Sequence, residues 1–229
     1  MYRSILFAHV ACGVVALITY WMAGLSKKGS PLHKGAGKVY LSSMIGVVLT
    51  SIVLAGFAFA GGKYVIGTFL AYLVVITSTA MGLGWLAIRR KRDQVGFRSL
   101  GYRITGATNV AIGLAVFGFG VQQGVALLMG FSWVGIVIGS KMLWRVWKPL
   151  DEAKWWLREH IGAMLGCGVA THIAFLGIGV NRMTDALGVD LDLGLLAWFA
   201  PLAVSAAAGV WLDRKYLRKP VARPGPATA

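Results

Sequence analysis

The sequence predicts an all-α integral membrane protein: a polytopic bundle of seven transmembrane helices. Of its 229 residues, 57% are apolar and only 14% are charged. The apolar residues fall into runs of about twenty, the length that a helix needs to cross ~30 Å of hydrocarbon. The gaps at 61–63 and 122–124 are short enough to join the flanking runs as antiparallel helical hairpins.

In chain order we predict transmembrane helices at 5–25, 39–60, 64–88, 104–121, 125–143, 161–180 and 193–212. The first run is too long for the apolar core of a signal peptide, so we expect it to stay as an uncleaved helix. Segment 144–159 mixes four tryptophans with charges, which is typical of a segment at the lipid headgroups. Residues 1–218 are predicted to form one membrane domain, and the Pro-rich tail 219–229 a disordered cytoplasmic segment.

The distribution of basic residues predicts the orientation. All but three of the 23 Lys and Arg residues lie in one set of alternate loops, and the exceptions are Arg3, Lys63 and Arg182. Because cytoplasmic loops of membrane proteins are enriched in Lys and Arg, we expect the N-terminus outside and the C-terminus in the cytoplasm. The net charge of +15 then belongs to the membrane surface, and a nucleic-acid partner is excluded because no soluble basic domain exists.

Several function classes are disfavoured by what the predicted helices lack. No acidic or basic residue lies well inside any of them, which argues against the charged relays of proton pumps and many ion-coupled transporters. The seventh run has no lysine for a retinal Schiff base. No Gly-rich phosphate loop, nucleophile elbow or His-Glu-x-x-His helix occurs, so the sequence assigns no catalytic residue.

The four histidines are the candidate cofactor ligands. With the predicted orientation, His9 and His172 lie within the outer halves of the first and sixth helices, and we call them the outer pair. His33 precedes the second helix and His160 opens the sixth, both on the cytoplasmic side, and we call them the inner pair. Two histidine pairs on facing helices are the pattern by which bis-histidine cytochromes hold haem b. A histidine at membrane depth is costly and is therefore a functional candidate.

Glycines accompany the outer pair. Gly13 follows His9 by four residues and Gly168 precedes His172 by four, so each lies on the same helix face as its histidine. We expect these glycines to leave room for the edge of a macrocycle. The outer pair is therefore our preferred haem or metal site, and we expect replacing either histidine to abolish it.

The inner pair needs a special geometry. A straight helix separates His160 and His172 by about 120°, so both cannot point to the same seam. An inner haem site therefore requires His160 to sit in a pre-helical turn, or a kink between 162 and 168.

Three other interpretations of these residues stay open. His9 and His172 could instead make interhelical hydrogen bonds. His33 and His160 could be ordinary solvated or capping residues. Cys12, three residues from His9, and Met164, three residues before Cys167, could contribute to a soft copper site.

Segment 32–40, LHKGAGKVY, resembles the motif of an uncharacterised bacterial family of polytopic membrane proteins. That motif reads His-Arg/Lys-x-x-Gly-Arg/Lys-Val-Tyr and follows the first transmembrane helix. His9 with Gly13, and segment 159–164 with His160, are also similar to that family. The resemblance implies a multi-pass protein of the bacterial cytoplasmic (inner) membrane and draws attention to His9, His33 and His160.

These observations together predict a b-type haem protein that takes part in electron transfer within the membrane, with quinone as a possible partner. Two alternatives remain. One is a non-catalytic accessory subunit whose glycine-rich helix faces dock a larger membrane complex. The other is a carrier for a small neutral or anionic solute.

Overall fold

The computed structural model describes residues 1–148, 153–189 and 193–217, and these residues form helices and short turns with no strand. The helices are α1 Tyr2–Leu25, α2 Pro31–Ala60, α3 Tyr64–Arg89, α4 Gln94–Phe97, α5 Leu100–Gln123, α6 Ala126–Trp147, α7 Trp155–Ala174, α8 Asn181–Leu187 and α9 Leu196–Tyr216. A π-helical turn, Phe175–Val180, joins α7 to α8. The predicted disordered tail, 219–229, lies outside the described residues.

Seven helical segments in the described part of the chain are long and apolar enough to cross a membrane. They correspond one to one with the seven predicted runs, with α4 and α5 together forming the fourth. The predicted all-helical class and the number of candidate spans are therefore confirmed. Most of these helices extend beyond the predicted bounds, because the apolar run marks the part suited to hydrocarbon and the helix continues into polar residues.

Helix α2 begins eight residues before the predicted bound because of its capping residues. Ser30 is the N-cap, its hydroxyl accepts a hydrogen bond from the His33 backbone N–H at 3.2 Å, and Pro31 occupies the first helical position. His33 was expected before the helix. It lies instead within the first turn of α2.

Helix α7 begins at Trp155, six residues before the predicted bound. His160 therefore lies in its second turn rather than in a pre-helical turn, and α7 is α-helical throughout 162–168, where a kink was considered. Four tryptophans close α6 and open α7, so most of the predicted headgroup-level segment consists of helix ends; residues 149–152 are outside the described ranges.

Two helical hairpins, α1–α2 and α5–α6, make the most extensive contacts in the bundle. Helix α3 lies between them and also packs on α7, which in turn contacts α1 and α9. In the α5–α6 hairpin, a Cβ on Gly139 would overlap the Gly106 carbonyl oxygen, so glycine is required for the helices to approach this closely.

Buried polar side chains tie α3 to both helices of the second hairpin. Asn109 of α5 is fully buried and donates a hydrogen bond to the Thr79 hydroxyl at 2.8 Å. The Tyr72 hydroxyl lies 2.9 Å from the Ser132 carbonyl and accepts from the Gly135 backbone N–H at 2.8 Å. Because water is scarce in a helical bundle of this kind, such bonds specify which helix faces pair.

Candidate functional site

Three histidines donate a hydrogen bond from Nδ1 to a backbone carbonyl oxygen. Nδ1 of His33 lies 3.0 Å from the Ala23 oxygen of α1. Nδ1 of His160 lies 3.0 Å from the Gly84 oxygen of α3. Nδ1 of His172 lies 2.7 Å from the Gly168 oxygen one turn earlier in α7. A carbonyl only accepts, so Nδ1 carries a proton in each ring, and in the neutral form of such a ring Nε2 has the lone pair.

His9 has the same tautomer for a different reason. Its Nδ1 lies 2.9 Å from the Thr50 hydroxyl oxygen of α2. The Thr50 hydroxyl is also within 2.7 Å of the Gly46 carbonyl oxygen and 2.9 Å of the Val47 carbonyl oxygen. Its single proton is directed at these carbonyls, so Thr50 accepts from His9. The hydrogen-bond network thus assigns Nδ1–H to all four imidazoles.

His172 differs from the other histidines because its Nε2 also takes part in a hydrogen bond. The indole N–H of Trp21 donates to it at 3.0 Å. The rings of Tyr20 and Trp21 meet the imidazole edge-on, with centroids 5.3 and 5.5 Å away. Gly168 was expected to leave room for a macrocycle, but a Cβ there would overlap the Tyr20 ring. This glycine therefore accommodates an aromatic side chain of α1.

The structure does not bring the outer pair together. His9 contacts Thr50 of α2, whereas His172 contacts Trp21 of α1. Trp21 is twelve residues from His9, about 18 Å along the same helix. Gly13, beside His9, has open space where a Cβ would be, as expected, but no second histidine lies near it among the contacts described. Both outer histidines make the interhelical hydrogen bonds that were considered as the alternative.

The inner pair lies at one end of the bundle. The Tyr40 hydroxyl of α2 lies 3.3 Å from the Thr171 hydroxyl of α7, which sets the two helices in register. At 1.5 Å per residue, His33 lies about 10 Å from this contact along α2 and His160 about 16 Å from it along α7, both toward the N-terminal ends of their helices. The two rings are within electrostatic range of each other, and His160 is also within range of Lys28. Their Nε2 atoms make no hydrogen bond to any described residue.

Lysines surround this end of the bundle. The Lys28 ammonium donates to the Ala23 carbonyl oxygen at 3.2 Å and to the Gly24 carbonyl oxygen, so it caps α1 together with the His33 ring. The capping role considered for His33 is thus present, and it uses only Nδ1. Partial burial, with a smaller contribution from the nearby Lys215 cation, lowers the pKa of Lys28 from its usual 10.5.

The donor set at the inner pair suits some cofactors better than others. The described residues contain no group of three or more His, Cys, Asp or Glu side chains that could hold a metal ion. Cys12 packs against Gly46, and Cys167 is fully buried in one hydrophobic cluster with Tyr40 and Met44, so the contacts described place neither cysteine against a histidine. A bare transition metal needs about four ligands, whereas haem iron needs only two axial ligands from the protein.

A second polar cluster surrounds Arg98, and no pattern in the sequence indicates it. Arg98, which follows α4, is only 6% exposed and lies within electrostatic range of Arg145 and Glu159. From the sequence it was counted among the exposed loop cations, because nothing in its local pattern distinguishes it from Arg92. It is buried by side chains of α6 and α7, which are about 50 residues away in the sequence.

No known protein family, curated protein or solved structure matches this chain. The likeness of segment 32–40 to a bacterial membrane protein family therefore remains a sequence-based hypothesis.

Proposed function

We propose that this protein holds a b-type haem between His33 and His160 and takes part in electron transfer within a bacterial cytoplasmic membrane. One observation carries the proposal: each imidazole has its Nδ1–H bonded to a backbone carbonyl of a different helix and its Nε2 unengaged. A hydrogen bond of this kind holds the ring orientation and raises the basicity of the ligating nitrogen. Metal-binding histidines typically have this arrangement.

The surroundings of the inner pair also suit a haem. When bound, the haem would supply a one-electron iron couple, while the chain supplies two axial nitrogens and the charges around the macrocycle. Lys28 and Lys215 would meet the propionates. Gly37 lies one turn beyond His33 on the same face of α2, and a Cβ there would have no neighbour within 4 Å.

The proposal includes an orientation. The inner pair lies at the end of the bundle that carries most of the basic residues, so it would face the cytoplasm, with the C-terminus on the same side. Lipid, quinone and other membrane subunits are then the available partners. Fusing a reporter that is active only in the cytoplasm to the C-terminus tests the orientation, and activity of a periplasmic reporter instead would reverse it.

Haem binding is tested on protein purified from cells able to make haem. The haem-to-protein ratio and the reduced-minus-oxidised spectrum are measured for wild type, His33→Leu and His160→Leu. We expect sharp bis-histidine bands in wild type and loss of the bound haem in both variants, because each removes one axial ligand. The matched control is His172→Leu, which changes the same residue type on the same helix and should keep the haem.

Two outcomes would contradict this assignment. If His9→Leu and His172→Leu lose the haem while the inner variants keep it, the outer pair is the site. If wild type contains no haem, the accessory-subunit function takes the lead. That second candidate is favoured by α1 and α9, of which only 11% is buried within the chain, leaving long faces for lipid or a partner. Co-purification of a stable partner after mild solubilisation would support it.

A further inference from the structure

Arg98, Arg145, Glu159 and Tyr102 form a polar cluster at the junction of α4, α5, α6 and α7, and we call it the arginine cluster. The Arg98 side chain lies within electrostatic range of Tyr102, Arg145 and Glu159. Its guanidinium carbon is 5.8 Å from the centre of the Trp155 ring. The cluster is distinct from the histidines, and nothing in the proposed haem function uses it.

The arginine cluster lies against an apolar shell. Phe97, Tyr102, Met142 and Trp155 are buried together with Ala87 in one hydrophobic cluster around it. Arginine stays protonated in proteins, so two guanidinium groups face one carboxylate and a positive charge is left over. An uncompensated buried charge is strongly unfavourable, so a counter-anion at this position would stabilise the fold.

The unpartnered atoms of the cluster show where such an anion would bind. Nε and Nη2 of Arg98 and Nε of Arg145 are buried and have no hydrogen-bond acceptor among the described residues. Nε and Nη2 form one edge of the planar guanidinium, the edge that binds two oxygens of a carboxylate or phosphate at once. A fork of this kind on a side chain that is only 6% exposed is a strong recognition element.

The fourth unpartnered atom restricts the chemical class of the ligand. Oε1 of Glu159 is buried without a donor, although its carboxylate is within electrostatic range of Arg98. An oxyanion that accepts from the arginines and donates an O–H to Glu159 would satisfy all four atoms. Phosphate carrying a P–OH group does both. A phosphodiester satisfies the arginines but leaves the glutamate unpaired.

We propose that the arginine cluster is a binding site for a phosphate group, with the Nε–Nη2 edge of Arg98 as its main donor and Arg145 as its second. The phosphate could come from a soluble phosphate or monoester on the cytoplasmic side, or from an anionic lipid headgroup. Lys91 and Arg92 lie close by in the α3–α4 loop, and both are exposed.

The test uses the full chain in a zwitterionic detergent and phosphate-free buffer. Isothermal titration is carried out with inorganic phosphate in one arm and with short-chain phosphatidylglycerol in the other, against phosphatidylcholine as the zwitterionic reference. We expect binding of inorganic phosphate or phosphatidylglycerol by wild type. Arg98→Gln should weaken it by roughly tenfold or more, because charge-assisted bonds are lost. The matched control Arg92→Gln removes an exposed arginine nearby and should leave the affinity unchanged within about twofold.

A second variant tests the same proposal in case Arg98→Gln fails to fold. Glu159→Gln retains both arginines and removes the competing carboxylate, so it should strengthen binding of the diester lipid more than binding of inorganic phosphate. If wild type binds neither ligand and Glu159→Gln does, Glu159 is itself the counter-ion and the proposal is wrong. Equal weakening by Arg98→Gln and Arg92→Gln would also overturn it, since binding would then be a general surface effect.

Discussion

His160 and His172 lie on the same helix, twelve residues apart, and have opposite surroundings. His160 bonds α3 through Nδ1, has an unengaged Nε2 and lies near His33 and Lys28. His172 bonds its own helix through Nδ1, and Trp21 occupies its Nε2. The Nε2 of the first ring is left without a hydrogen-bond partner among the described residues, whereas the second ring is part of an aromatic contact between α1 and α7. Depth within an apolar run, which favoured His172 from the sequence, does not separate these roles; the donors and acceptors around each ring do.

The largest stability effect expected along α7 concerns the glycines beside the two histidines. Gly168→Ala places a Cβ against the Tyr20 ring, so α1 and α7 must shift apart, at a cost of ~1–3 kcal/mol. Gly162→Ala is the control, because nothing lies within 4 Å of the added Cβ and alanine favours helix. The free energy of unfolding in detergent is measured for both. Equal destabilisation would show that Tyr20 does not pack on Gly168 as described.

A smaller effect is expected from the bond between Trp21 and His172. Trp21→Phe keeps an aromatic ring but removes the indole N–H that binds Nε2. A double-mutant cycle with His172→Leu should give a coupling of about 0.6 kcal/mol and at most about 1.7 kcal/mol, the average and maximum found for hydrogen bonds between membrane helices. The same cycle between Trp21→Phe and His160→Leu should give a coupling near zero. A coupling of similar size in both cycles would remove the distinction between the two histidines.

The smallest effect concerns the charge of the inner end. Lys215→Gln removes a neighbouring cation, so the lowered pKa of Lys28 should rise toward 10.5. The unfolded chain binds the Lys28 proton more tightly than the folded protein, so stability increases with pH between the lowered pKa and 10.5. In Lys215→Gln this window should narrow. NMR titration of labelled lysines measures the pKa, with Lys63→Gln, at the other end of the bundle, as the control; equal shifts would exclude a local effect.

Some residues of the candidate site could be identified from the sequence. The four histidines could be singled out because His is rare in this chain and its cost in a membrane is known. Asn109 is a polar side chain within the fourth apolar run, a residue type that typically hydrogen bonds between membrane helices, and it donates such a bond to Thr79. The sequence could not show which histidine pair is the better candidate cofactor site. That choice depends on Trp21 and Gly84, which are 151 and 76 residues from the histidines they bind.

The sequence by itself determined the helical class and the seven apolar segments. A chain segment that crosses hydrocarbon must form a long uninterrupted helix, and this requirement is recognisable in the sequence as a long apolar run. It also placed the basic residues at alternate ends of these segments. Only the tertiary structure decided which imidazole nitrogens stay unengaged, that Gly168 holds Tyr20, and that Arg98 is buried while Arg92 is exposed. These properties depend on hydrogen-bond direction and on contacts between distant helices, and neither leaves a local pattern in the chain.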